Sequence, residues 1–312
     1  MGIPIIDFIG LAVEEGEPLG DKERSLIEEV GSQIEEAFRT VGFCYLINHG
    51  IPSALIEAYR KTSRDFFEQP VEYKQNYARP QDANFGWVAL ERERLNPERP
   101  GDYKEAFNFT PADDNKSWPD RTPEFQGLSH ELFQQCTKLS FRIFDALSTS
   151  LELKERSFLR DCHKSMGKKS NATTLRSLFY PTITPDSNIK SGQVRCGEHS
   201  DYGSITLLFQ DDVGGLEVRG VDGIYIPANP LPDTVLINIG DLMQRWTADK
   251  LIATKHRVLI PEEELKKRQC RQSFAFFVHP DDDCMITCLD GSNKYEPITS
   301  KDYLDYRFNL TY

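Results

Sequence analysis

The chain has 312 residues, 39% hydrophobic and 28% charged, the make-up of a folded globule long enough to bury a sizeable core in one large or two ordinary domains. Its net charge of -12 argues against general affinity for nucleic acid or anionic membranes, both of which need clustered positive charge. Seven cysteines without framework spacing, no apolar run of bilayer length and no signal-peptide pattern after Met1 together predict a reducing, cytoplasmic setting.

Ile5-Ile6-Asp7-Phe8 predicts a short opening strand. Asp21 is placed to cap a helix whose Leu26, Ile27, Val30, Ile34, Phe38 and Val41 share one face, with Gly42 as its stop. Phe43 to Ile47 predicts a buried strand and Asn48-His49-Gly50 the turn after it, where the His49 ring bonds to backbone. Pro52-Ser53 opens a second helix toward Phe67. From Ala78 to about Gln126 the sequence, rich in Pro, Asp, Asn and Arg, predicts a long irregular segment. A third helix from about Ser129 to Leu153 presents Leu132, Phe133, Cys136, Leu139, Ile143, Leu147 and Leu151 as a core face.

Beyond Lys169 the character changes to short β runs: Thr174 to Tyr180, Ile205 to Phe209, Gly215 to Val218, Val235 to Ile239, His256 to Ile260 and Ser273 to Val278. Turn pairs Gly214-Gly215, Asp222-Gly223 and Asp290-Gly291 separate them, a pattern of sandwich or barrel. Lys266-Lys267-Arg268 behind Glu262-Glu263-Glu264 reads as a solvated loop or helix end, and Thr299 to Phe308 as a small closing helix. Cys284 and Cys288 lack the second pair a zinc site needs, and read as half-buried thiols.

Chemistry concentrates in His199-Ser200-Asp201 and His256. On a strand, His199 and Asp201 project to one side while Ser200 points away, and His256 can join them from another β run. Two imidazoles and a carboxylate form a facial ligand set that leaves the other positions of an octahedral iron open. A lone His-x-Asp is weak evidence. Arg271 and Ser273 share one face of a strand that is apolar on both sides, which makes Arg271 a buried cation in need of an anion. Either the protein supplies that anion, or a ligand carboxylate does.

The run Gly197 to Leu216, the segments Pro232 to Asp241, Arg245-Trp246-Thr247 and Lys255 to Val258, and Arg271-Gln272-Ser273 closely resemble the Fe(II)/2-oxoglutarate-dependent oxygenases, in the branch of isopenicillin N synthase and the plant flavonoid and gibberellin enzymes. Ile3 to Asp7 and Gly42 to Ile51 resemble the same family's N-terminal region, so the likeness spans nearly the whole chain. It implies a mainly β fold with flanking α: a double-stranded β-helix (jelly roll) core behind an N-terminal α/β region. The expected division is 1–120, giving helices and substrate-side loops, and 121–312, the catalytic core with its long supporting helix, together one compact unit.

The resemblance implies iron ligands His199, Asp201 and His256. It implies that Arg271 and Ser273 hold the distal carboxylate of 2-oxoglutarate, and that Tyr180 contacts the cosubstrate as well. Many relatives carry an asparagine two residues before that tyrosine; here the position is Leu178. The implied activity is oxidation, typically hydroxylation, of a small molecule by O2, releasing succinate and CO2, with Fe(II) and 2-oxoglutarate required and ascorbate as a supporting reductant. A monomer without nucleic-acid or membrane partners is expected. Phe85-Gly86-Trp87, Lys104 to Phe109, Arg92 and Arg94 are the expected substrate-side residues. Rival expectations are an oxidase of the same fold that does not consume 2-oxoglutarate, and a non-catalytic metal-binding jelly roll.

Overall fold

A computed structural model of the chain describes residues 2–11, 21–81, 83–94, 99–113, 116–184, 187–260 and 269–311. The run Lys266-Lys267-Arg268 and the acidic residues before it lie outside the described residues, as does the Asp21 side chain. Strands and helices follow as β1 (Ile5–Asp7), α1 (Asp21–Thr40), β2 (Phe43–Ile47), α2 (Ser53–Phe67), α3 (Val71–Lys74), β3 (Gly86–Val88), β4 (Glu105–Phe109), α4 (Glu124–Ser150) and α5 (Phe158–Asp161). Then come β5 (Thr174–Tyr180), β6 (Cys196–His199), β7 (Ile205–Gln210), β8 (Leu216–Arg219), β9 (Tyr225–Pro227), β10 (Val235–Ile239) and α6 (Asp241–Trp246). The chain ends with β11 (His256–Val258), β12 (Arg271–Val278), β13 (Met285–Ile286), β14 (Ile298–Thr299) and α7 (Ser300–Thr311).

The strands form an eight-stranded sheet ordered β1-β2-β10-β7-β12-β5-β4-β3 and a four-stranded sheet ordered β6-β11-β8-β9. This is the expected fold: a mainly β jelly-roll core with flanking helices. Alternation along the strands sorts side chains between the two faces of the large sheet. Phe274 and Phe276 of β12 turn outward onto the helices, where Tyr59 of α2 and Phe133 of α4 meet them edge-on at 5.0 and 4.9 Å between centroids. Arg271, Ser273 and Ala275 take the opposite face.

On that outer side Leu132, Phe133, Cys136, Leu139, Ile143 and Leu147 of α4 are all buried, as their helical spacing predicted. Helix α1 crosses α4 closely: a Cβ at Gly31 would lie 2.5 Å from the Ala146 carbonyl oxygen, so no larger residue fits without moving a backbone. Gly42 ends the first helical region with φ +77°, and its amide hydrogen-bonds to the Ala37 carbonyl. A Cβ there would come within 2.3 Å of Thr254 Oγ1.

Between Ala78 and Gln126 the chain is more ordered than its composition suggests. The segment carries β3 and β4, which extend the large sheet beyond β5, and α4 begins at Glu124, inside it. Phe107 and Phe109 face the helices while Ala106 and Asn108 face inward, a period-two pattern hidden by the neighbouring Pro and charged residues. Glu105 sits beneath the sheet, where its Oε2 accepts from both Lys74 Nζ and Trp87 Nε1 at 2.6 Å. Phe85 and Trp87 are equally core residues, at 3% exposure each.

Candidate metal centre and cosubstrate site

His199 is the last residue of β6, and β11 pairs with β6 so that His256 lies directly opposite it. The imidazoles therefore approach as cross-strand neighbours in one sheet, with ring centroids 4.2 Å apart. Asp201 lies beyond the end of the strand, where sequence reading had placed it within the strand. The bend is fixed by backbone: the Asp241 and Leu242 amides at the start of α6 donate to the carbonyls of Asp201 (2.7 Å) and Tyr202 (3.2 Å).

Asp201 Oδ1 lies 3.7 Å from Nε2 of each histidine, and the three candidate donor atoms all lie within 4.8 Å of one another. The remaining atoms of the three side chains are occupied. His199 Nδ1 meets the Gly197 carbonyl at 2.8 Å and His256 Nδ1 the Thr254 carbonyl at 3.1 Å. A carbonyl can only accept, so each Nδ1 carries the hydrogen and each Nε2 keeps its lone pair toward Asp201. Asp201 Oδ2 accepts from Thr206 Oγ1 at 2.6 Å and Asn238 Nδ2 at 2.7 Å, which leaves Oδ1 facing the histidines.

Electrostatics agree with that division. Burial opposes charge on Asp201, but His256, His199 and the two hydrogen bonds outweigh it and hold the carboxyl below its usual range. Burial, with the His199 ring next, holds His256 down to about 4, so it is a neutral base near pH 7.

Arg271 opens β12 at 1% exposure. Its Nε donates to the Gly214 carbonyl (2.7 Å), Nη1 to Ser273 Oγ (3.2 Å) and Nη2 to Gln210 Oε1 (3.2 Å), and its guanidinium lies 4.9 Å from the Tyr180 ring centroid. Among the described residues no carboxylate pairs with it. The alternative that the protein supplies the anion thus finds no support, and a buried guanidinium whose partners are all neutral suits a ligand carboxylate. Antiparallel register places Arg271 opposite Tyr180 and Ser273 opposite Leu178. The three sequence-selected cosubstrate residues are therefore adjacent, and burial raises the Tyr180 hydroxyl above its usual range.

The other histidines have separate settings. His49 Nδ1 accepts the Ile51 amide at 3.2 Å, the backbone bond its turn position predicted. His163 is wholly buried, stacked on Phe144 at 4.1 Å. Arg92 and Arg94 are exposed, while Phe85, Trp87, Phe107 and Phe109 are packing residues. Sequence reading missed Thr206, Asn238 and Gln210. Each is an inward-facing polar position on a strand whose other face is apolar, and that break in alternation was the available signal.

Two stretches match known families: residues 3–127 match the non-haem dioxygenase in morphine synthesis N-terminal family, and residues 172–280 the 2OG-Fe(II) oxygenase superfamily. The 2-oxoglutarate-Fe(II) type oxidoreductase ppzD of Metarhizium rileyi is 32% identical over 90% of this chain and 85% of its own length. Proline hydroxylase buaE of Petromyces alliaceus is 32% identical over 88% of this chain and 91% of its own. A full-length Neurospora crassa protein, crystallised in complex with alpha-KG (2-oxoglutarate) and thymine, superposes with a TM-score of 0.83 at 31% identity, covering 99% of this chain and 97% of that one.

Proposed function

The chain belongs to the 2OG-Fe(II) oxygenase superfamily, and on that premise we propose that His199, Asp201 and His256 hold the iron while Arg271 and Ser273, flanked by Tyr180, hold 2-oxoglutarate. The enzyme is a 2-oxoglutarate-dependent dioxygenase with Fe(II) and 2-oxoglutarate as its requirements. The observation that carries the residue assignment is the way every competing atom is tied off. Two Nε2 lone pairs and one carboxylate oxygen converge, and a buried cation nearby has no carboxylate of its own among the described residues.

The donor set of two imidazoles and one carboxylate fits a ferrous ion, which would be held by His199, Asp201 and His256 with room left for the cosubstrate. When bound, iron with 2-oxoglutarate supplies the oxidising chemistry, ending in succinate and CO2. The protein's own share is positional. Gly197 and Thr254 fix the imidazole tautomers, and Thr206 with Asn238 aims the carboxylate. Arg271 and Ser273 take the far carboxylate of the cosubstrate by charge-assisted hydrogen bonds, while the Tyr180 ring lines the same wall. No separate acid-base residue is required.

Its substrate is a small molecule oxidised with O2, typically by hydroxylation. Thymine, bound by the Neurospora crassa protein, and proline, the substrate named for buaE, are the first compounds to try. Among the described residues no helix is long and apolar enough to cross a membrane. All seven cysteines are free, which supports a reducing, cytoplasmic setting, and we take the enzyme to act as a monomer.

Anaerobic addition of Fe(II) and then 2-oxoglutarate should raise a weak visible charge-transfer band, and turnover should yield one succinate per O2 consumed. A wild-type protein that shows no band and forms no succinate would sink this assignment. Band formation with oxygen uptake but no succinate would favour the oxidase alternative.

A further inference from the structure

Beyond the cosubstrate wall, the inward face of the large sheet continues through β5 and β4. Directly paired residues of antiparallel strands share a face. Ser273 pairs with Leu178 and Leu178 with Ala106; Ala275 pairs with Arg176 and Arg176 with Asn108. Asn108 and Arg176 thus stand side by side on the face that carries Arg271 and Ser273, one inward row nearer Thr206 and its Asp201 contact.

The orientation of the Asn108 amide follows from a relay of hydrogen bonds. Thr174 Oγ1 donates to the Ala172 carbonyl (2.9 Å), so it can only accept from Asn84 Nδ2 (2.6 Å). Asn84 Oδ1 in turn accepts from Asn108 Nδ2 (2.6 Å). This leaves Asn108 Oδ1 buried with no partner among the described residues, in a residue only 2% exposed. Glu93, 8% exposed, is in the same condition: Oε2 takes Arg176 Nη2 at 2.5 Å, and Oε1 is buried without a partner among the described residues.

Both bare atoms are acceptors, and a buried acceptor left bare is unfavourable. Two of the cations around them already have carboxylate partners, and a third, Arg79, donates to Asn84 Oδ1 at 3.5 Å. Arg176 pairs with Glu93, and Lys104 with Asp102 at 2.8 Å and Glu93 at 3.7 Å. An anionic ligand would bring further acceptors to a place where two buried acceptors already lack donors among the described residues.

We propose that Asn108, Glu93 and Arg176 form the recognition subsite for the substrate to be oxidised, and that this substrate is uncharged where it binds and presents N–H or O–H donors to Asn108 Oδ1 and Glu93 Oε1. The subsite deepens the oxygenase assignment and rests on it for its role in turnover. Arg92 and Arg94, named from the sequence among the substrate-side residues, are exposed and are not part of this subsite.

The test is calorimetric titration of the anaerobic Fe(II)- and 2-oxoglutarate-loaded enzyme. Probes are glutarimide, 2-pyrrolidone and cyclohexane-1,2-diol, each beside its N- or O-methylated counterpart, with benzoate and cyclohexanecarboxylate as anions. The uncharged donors should bind, methylation should weaken them tenfold or more, and the carboxylates should bind more weakly still. Asn108→Leu should erase the methylation penalty while the charge-transfer band persists, which shows the variant folded and loaded; Asn108→Asp, which keeps the acceptor, should retain the penalty. Indifference to methylation, preference for carboxylates, an unchanged penalty in Asn108→Leu or no binding by any probe would overturn the subsite. Absence of the band in the wild type would instead overturn the oxygenase assignment, and the same titrations without iron would still read the subsite.

Discussion

Asp201 divides its labour between two oxygens, one aimed at the histidines and one held by Thr206 and Asn238. Removing either holder frees the carboxylate to rotate, so Thr206→Val or Asn238→Ala should weaken Fe(II) binding by roughly 10- to 100-fold while leaving the fold intact. Unchanged affinity in both variants would show the holders to be ornamental. Arg271→Leu should raise the KM for 2-oxoglutarate by roughly 10- to 150-fold, since a charge-assisted pair contributes about 1.5–3 kcal/mol and the cation's pairing is lost entirely. Fe(II) affinity should stay within twofold, and a KM close to wild type would remove Arg271 from the cosubstrate site. The motif residues were legible because their spacing and chemistry are unusual. Thr206 and Asn238 were not, because their role exists only once β7 and β10 pair.

His163 shows how burial turns a residue into an acid-sensitive stabiliser. Its Nδ1 contacts the Leu159 carbonyl at 2.6 Å and Nε2 contacts Ser204 Oγ at 2.8 Å. Burial pushes its pKa down to about 3, against about 6.5 in an unfolded chain. The folded state therefore prefers the neutral ring. Its contribution is complete above pH 6.5 and is lost as pH falls toward 3, by up to about 1.4 kcal/mol per pH unit. Urea unfolding of wild type and His163→Gln from pH 7.5 to 4.5 should show the wild type losing stability faster; parallel profiles would count against this account.

At the scale of elements, the strands β2, β5 and β10 occur where apolar runs bounded by turn residues predicted them. The misplacement of β3 and β4 has a physical cause: both are short, edge-ward strands whose inward residues are polar or small and whose neighbours are Pro and charge. Tertiary pairing with β5, not local propensity, makes them strands. Helix termination was legible at Gly42 because only glycine accepts its φ cheaply. Gly42→Ala should destabilise the protein by about 1–3 kcal/mol or more, combining a positive φ with a Cβ pressed on Thr254 Oγ1. A thermal midpoint within a degree of wild type would contradict this.

For the whole molecule, the expected division at residues 120 and 121 crosses elements that interlock. We read both parts as one cooperative unit, because β2 lies between β1 and β10, and β4 pairs with β5. Circular dichroism and tryptophan fluorescence should then report one coincident unfolding transition, and two separated transitions would establish independent domains. That same interlocking sets a schedule for synthesis. Phe43-Cys44-Tyr45-Leu46-Ile47 is almost wholly buried in the finished sheet, yet its partner Val235–Ile239 leaves the ribosome roughly 190 residues later, a wait of about 10–40 s. For that time an uncharged, β-prone strand has one edge without its neighbour, so nascent chains should depend on chaperones and slow or cool expression to avoid aggregation.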